Sequence, residues 1–275
     1  MKIYFSAVKN AEQIKYLLSL GADSFLFTYD TPKVSFENIC YLEKYILDRT
    51  LNILVDSGAF SAWNAGTETS LRDYTGFIKS VKMKNKKHNV IFVNLDVIPH
   101  KKGTTATIEQ INKAAEKGIR NCAQLMEAGI QTMHIFHQFE DFRILDRILK
   151  EYNPHNYIGI SPANDVSIPA RNEWLRKVYY KLQSKTKTHL FGLTAKDSLM
   201  TFPAYSADSS SWLNVSKYGE LFDFKHLVKI NKTQCSRYNA LYYDEELTFY
   251  NAYKYYIRLQ NYLTKLWIHR KITWK

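Results

Sequence analysis

Short apolar runs of strand length alternate along the chain with longer segments whose apolar residues recur every three or four positions. The runs are 2–8 (KIYFSAV), 24–29 (SFLFTY), 52–56 (NILVD), 89–96 (NVIFVNLD), 130–138 (IQTMHIFHQ), 156–161 (NYIGIS), 188–194 (THLFGLT) and 203–208 (PAYSAD). Helical spacing marks 10–20, 35–48, 70–84, 106–128, 139–151 and 168–184, and within 139–151 Phe142, Leu145, Ile148 and Leu149 share one face. A seventh helix, 196–202, is short and weakly patterned. Apolar strands separated by amphipathic helices predict a parallel sheet with crossover helices, covered on both faces. Eight such units within residues 1–210 predict an α/β fold of the (β/α)8 TIM-barrel type, with a doubly wound open sheet as the alternative.

The pattern changes after residue 210. Residues 211–275 pass through a basic patch around Cys235 and end in the aromatic and basic helix EELTFYNAYKYYIRLQNYLTKLWIHRKITWK. No Pro-, Gly- or Ser-rich linker sets this segment apart, so it is expected to be a helical, basic and aromatic C-terminal extension packed on the barrel.

Composition narrows the class. Of 275 residues, 45% are hydrophobic and 23% charged, an ordinary globular balance rather than a disordered one. The excess of 38 Lys+Arg over 26 Asp+Glu gives a net charge of +12, which favours a polyanionic partner. No apolar run approaches the roughly 18–20 residues of a spanning helix, and the first residues lack the pattern of a signal peptide, so a cytoplasmic location without membrane attachment is expected. Cys40, Cys122 and Cys235 lie far apart, which predicts reduced thiols rather than a disulfide framework or a cysteine-rich zinc site. No metal and no cofactor is expected.

In a barrel, chemistry is built where the strands end and the βα loops open. The strand ends here carry Ser6, Asp30, Asp56, Asp96, His137 with Gln138, Ser161, Thr194 and Asp208. Any one acid in such a place has a bland role as a helix cap. Asp56, Asp96 and Asp208 together argue for more, since no Lys or Arg lies within two positions of any of them. Convergent carboxylates suit acid/base or nucleophilic work. After Asp56, the small residues Ser57, Gly58 and Ala59 would let a planar ligand approach the backbone, with Phe60 or Trp63 as a stacking face; the competing reading is a tight turn whose aromatics join the core.

These residues resemble a family. VDSGAF (55–60) is similar to the Asp-Ser-Gly-Gly-Phe motif of the tRNA-guanine transglycosylase superfamily, with Ala59 in place of the second glycine. NLD (94–96), FHQ (136–138), YIGIS (157–161) and AYSADSSSW (204–212) resemble that superfamily's further strand-end motifs, in order and spacing. The resemblance implies a (β/α)8 barrel that cleaves a nucleobase from its sugar through a covalent sugar-aspartate intermediate and then installs a 7-deazaguanine. It implies Asp208 as nucleophile and Asp56 as acid/base and base-recognising group. Ser57, Gly58 and Phe60 would line the base, and Asp96, Gln138 and Gly159 would hydrogen-bond its edge.

Two departures point away from tRNA and towards the DNA-acting 7-deazaguanine transglycosylases. The family's cysteine-rich zinc site is reduced here to Cys235 with His226, and SSSWLNVSKYG (209–219) replaces the arginine-rich segment after the nucleophile. The expected partner is therefore DNA, with a modified or 7-deazaguanine base as substrate or product. The target nucleotide must be flipped out or single-stranded, at a cost of a few kcal/mol. Lys217, Lys265, Arg270 and Lys271 are candidate phosphate contacts, interleaved in the tail with Tyr and Trp residues that suit either base stacking or docking of the helix on the barrel. The Lys-rich run 79–88 reads as a solvated helix end.

Attack on the sugar ester by a new base gives exchange, and attack by water gives an abasic site, as in a defence against phage DNA. Both remain open on sequence alone. So do a non-catalytic DNA-binding barrel and an enzyme for a small phosphorylated substrate, although GLTAKDS (192–198) makes a poor phosphate loop.

Overall fold

The computed structural model describes residues 1–8, 10–99, 104–163, 165–183, 185–213, 221–223, 228–230 and 245–274. Nine strands run parallel in one sheet: β1 (Lys2–Phe5), β2 (Ser24–Thr28), β3 (Asn52–Asp56), β4 (Asn89–Val93), β5 (Thr132–Met133), β6 (Ile135–His137), β7 (Tyr157–Ser161), β8 (Lys187–Leu190) and β9 (Ser206–Ser209). They alternate with α1 (Ala11–Ser19), α2 (Pro32–Tyr45), the short α3 (Ala59–Asn64), α4 (Leu71–Lys84), α5 (Ile108–Glu127), α6 (Phe142–Glu151), α7 (Ile168–Leu182) and α8 (Lys196–Thr201). A hairpin of β10 (Leu221–Asp223) and β11 (Val228–Ile230) and the long α9 (Glu245–His269) follow.

The strand order is β5-β4-β3-β2-β1-β9-β8-β7-β6, so the two ends of the sheet are neighbours in the chain, separated only by His134. Thr132 and Met133 pair with Phe92 and Val93, whereas Ile135 to His137 pair with Gly159 to Ser161. Asn94 N donates to Met133 O and Gly159 N to His134 O, both at 2.8 Å, which stitches the two edges to one short stretch. The result is a nearly closed barrel of parallel strands. The single strand expected over 130–138 is thus two, because its pairing passes from β4 to β7 at His134.

Strand alternation explains the unbroken apolar runs. Ile3, Phe5, Phe25, Phe27, Ile53, Val55, Phe92, Ile158 and Ile160 belong to the cluster between strands and helices. Their neighbours Tyr4, Leu26, Leu54, Val93 and Tyr157 form a second cluster inside the barrel. Both faces are buried, as parallel sheets require. The same alternation fixes the site, because Asp56 is in phase with Leu54, His137 with Ile135, and Ser206 and Asp208 are out of phase with Ala207 of the outer cluster.

The last helix shares the outer cluster. Tyr253, Tyr255, Tyr256, Leu259, Leu263 and Trp267 are buried with β1 and α8 residues. Gln260 Oε1 accepts Ile3 N at 2.7 Å, and Trp267 Nε1 donates to Leu199 O at 3.1 Å. The aromatics of this helix therefore hold it on the barrel. Trp267→Ala is expected to cost about 3–5 kcal/mol, the usual range for a buried Trp, in one cooperative urea transition shared with the barrel; a separate early transition would show that the helix is independent.

Candidate active site

Three features place the acids of the mouth. Tyr74, fully buried in α4, donates its hydroxyl towards Val93 O (2.7 Å) and Val55 O (3.3 Å), tying together the ends of β3 and β4 just before Asp56 and Asp96. Gly58 sits at φ +71°, and a Cβ there would lie 2.6 Å from Asp30 N, so only glycine allows the turn after Asp56 to pass the β2 loop. Gly58 N in turn donates to Asp56 Oδ2 at 3.2 Å. The DSG triplet is thus a tight local device: acid, buried hydroxyl and close-approach glycine.

The carboxylates are set apart electrically. Burial, followed by the neighbouring charges of Asp96 and Asp208, pushes the Asp56 carboxyl up to about 7, against the pull of the Gly58 and Ser57 N–H groups. Burial acts on Asp96 too, but there His137 and the Ser57 hydroxyl outweigh it and hold the group below its ordinary value. Ser57 Oγ donates to Asp96 Oδ1 at 3.1 Å, and His137 Nε2 lies 3.1 Å from Oδ2 as an ion pair rather than an aligned hydrogen bond. Burial opposes the charge on His137, yet Asp96, Glu140 and Asp56 together raise its imidazole to about 9. At neutral pH this arrangement keeps a large protonated fraction at Asp56 beside an Asp96–His137 ion pair.

Asp208 has a different environment. Its Oδ1 accepts Gly192 N at 2.9 Å and His189 Nε2 at 3.2 Å. His189 Nδ1 lies 2.6 Å from Ser206 Oγ, which also makes a short hydrogen bond with the Tyr157 hydroxyl. Ser, His and Asp are the types of a hydrolase triad, but the exposure is reversed: Ser206 and His189 are fully buried, while Asp208 is at the mouth end. Ser206 is a donor here, not a nucleophile. The sequence gives no signal for His189, a histidine within an apolar strand whose partner is on the next strand.

The structure brings together Asp56, Ser57, Asp96, His137 and Asp208. Gln138 is buried at the end of β6, with its Oε1 accepting Ala163 N at 3.0 Å and its NH2 as the remaining donor. Phe60 is exposed and its ring lies 5.5 Å from that of Trp63. Trp63 and Asp96 line one cavity of about 260 Å³ together with Leu95, Ile98 and Lys117. Gly159 is placed otherwise: its N–H is spent on His134 O, and the Phe191 ring lies where its Cβ would be, 2.6 Å away. Its lack of a side chain makes room for Phe191.

Lys265 and Lys271 are not at the mouth. Thr264 bonds Met1 O at the start of β1, and Trp274 Nε1 donates to Pro203 O ahead of β9, so this end of the chain lies at the N-terminal pole of the barrel. There Lys265 and Lys271 are exposed, and Arg270 bonds Met200 O (2.6 Å) over the Trp267 ring. A helix following β9 runs antiparallel to the strands and carries its C-terminal end away from the mouth. Lys217, His226 and Cys235 lie outside the described residues. Among the described residues no cluster of His, Cys, Asp and Glu is arranged to hold a metal, Cys40 and Cys122 are free thiols, and no helix is long and apolar enough to cross a membrane.

The raised groups make stability pH-dependent. The half-buried Asp56 is tolerated when protonated, and the cost of ionising it in the folded state grows as pH rises from about 4 to about 7. His137 acts in the same direction: its contribution is full below about 6.5 and is lost as pH rises through about 9. Asp56→Asn removes the first effect and, because the Asp56 charge also raises His137, a smaller part of the second. Its stability relative to the wild type is expected to be about 2 kcal/mol more favourable at pH 8 than at pH 5 in urea melts; an equal difference at both values would contradict the assignment.

Comparison of the chain with protein-family models and with curated proteins finds no match.

Proposed function

We propose that the protein cleaves the base–sugar bond of a flipped-out nucleotide in DNA, with Asp208 as nucleophile and Asp56 as general acid. The observation that carries this reading is the contrast between two acids at one mouth, Asp56 raised to about 7 and Asp208 held by two N–H donors on Oδ1. Breaking a C1′–N bond leaves positive charge on the sugar and negative charge on the base. A carboxylate beneath the sugar stabilises the first, and an acid that keeps a large protonated fraction near neutral pH supplies the proton for the second.

In the first step Asp208 bonds to C1′, the C1′–N electron pair passes to the base, and the base takes the Asp56 proton. In the second, water or an incoming 7-deazaguanine attacks C1′, the ester bond returns its electrons to Asp208, and Asp56 accepts the attacker's proton. Phe60 and Trp63 at the rim offer stacking faces, and Asp96, Ser57 and the Gln138 NH2 offer polar contacts to a base. The net charge of +12 supports a polyanionic substrate. On this reading β5 and β6 count as one strand, the scaffold is a (β/α)8 TIM-type barrel, residues 211–275 are its C-terminal extension, and the protein works in the cytoplasm.

The test is incubation of single- and double-stranded oligonucleotides, unmodified or carrying 7-deazaguanines, followed by alkali. Strand breaks indicate hydrolysis, and uptake of a labelled base indicates exchange. Asp208→Asn is expected to lower turnover by at least ~10³-fold while oligonucleotide binding persists. Full activity in Asp208→Asn would overturn the assignment of the nucleophile, and binding without base release from every substrate would overturn the proposal in favour of a DNA-binding barrel. Because Asp56 must donate a proton, kcat is expected to fall as pH rises through about 7, and Asp56→Asn is expected to abolish that limb with a ~10²–10⁴-fold loss of rate.

A further inference from the structure

A buried polar line runs inward from Asp208, through His189, beyond the two carboxylates themselves. Tyr157 bonds Ser206, Ser206 lies 2.6 Å from His189 Nδ1, and His189 Nε2 lies 3.2 Å from Asp208 Oδ1. We infer that His189 is a positioning residue that, with Gly192 N–H, occupies Oδ1 of Asp208 and leaves Oδ2 as the oxygen that bonds to the sugar. This rests on the reading of Asp208 as nucleophile.

The direction of the hydrogen bonds follows from the partners. A carboxylate only accepts, so the hydrogen of His189 is on Nε2. Nδ1 then accepts the Ser206 hydroxyl hydrogen, and Ser206 Oγ accepts the Tyr157 O–H. Every member of the line is satisfied in this order; with the hydrogen on Nδ1 instead, Nε2 and Asp208 would face each other as two acceptors.

The ring is also fixed in orientation. Tyr4 meets it edge-on at 5.6 Å and Phe191 at 4.5 Å. Phe191 reaches this position because Gly159, paired with His189 on the neighbouring strand, has no Cβ. With His189 and Ser206 fully buried, no water competes for these bonds.

Two N–H groups on Oδ1 affect the two steps differently. In the first they draw electron density from the attacking carboxylate. In the second they stabilise the carboxylate as it departs from C1′, with Oδ2 taking the electron pair of the broken bond. Loss of the Nε2 donor therefore slows breakdown of the ester more than its formation, and covalent adduct accumulates. A merely structural role for His189 would lower both steps alike.

Two measurements test this. Nitrogen-15 NMR of the full chain reports the tautomer without substrate: a hydrogen on Nε2 is expected, and a hydrogen on Nδ1 would overturn the inference. In quenched reactions with a substrate oligonucleotide, His189→Phe is expected to lower steady-state turnover ~10-fold or more while raising the fraction of protein covalently bound to DNA. His189→Gln places an amide N–H near the Nε2 position and is expected to recover most of the rate. Wild-type turnover and adduct level in His189→Phe, with Asp208→Asn inactive, overturn this inference alone. Wild-type turnover in Asp208→Asn overturns the reading it rests on.

Discussion

Three carboxyl groups on separate strands converge at one poorly hydrated opening, and the surrounding polar structure answers that constraint. Three like charges so placed repel one another and lack water to screen them. The site separates them by giving each a different partner. Asp96 takes a histidine from β6 and a serine hydroxyl, Asp208 takes a buried histidine and a backbone N–H, and Asp56, with two backbone N–H groups and the repulsion of both neighbours, carries a carboxyl raised to about 7. The three carboxyls are thus distinguished by surroundings rather than by residue type.

The supports extend outward by two further layers. Tyr74 fixes the ends of β3 and β4 from the helix side, and Gly58 fixes the turn against Asp30. On the other side of the barrel Gly159 makes room for Phe191, Phe191 packs on His189, and His189 holds Asp208. The helices and the apolar cluster hold the strand register that brings these groups into phase, which is why the acids stay close despite their repulsion.

Much of the scaffold is legible in the sequence because parallel strands buried on both faces leave continuous apolar runs; NILVD and β3 share their bounds. The split at His134 is not legible, since alternation continues through Met133, His134 and Ile135 and only the pairing partner changes. The six residues of α3 are too few to show a period. Asp56, Asp96 and Asp208 are legible as strand-end acids. Their histidine partners are set by register between strands distant in sequence, and the pole at which the tail's basic residues lie depends on the direction in which α9 runs. A basic segment read along the chain carries no information about which end of a barrel it reaches.

Asp56 must keep a large protonated fraction near neutral pH because of its burial and the neighbouring charges of Asp96 and Asp208. The most direct measurement is a carbon-13 NMR titration of the Asp56 carboxyl in the full chain, assigned with Asp56→Asn and repeated in Asp96→Asn. The account predicts a midpoint near 7 in the wild type and a lower one once the Asp96 charge is gone. A midpoint near the ordinary ~4 of an exposed aspartate in both proteins would contradict it.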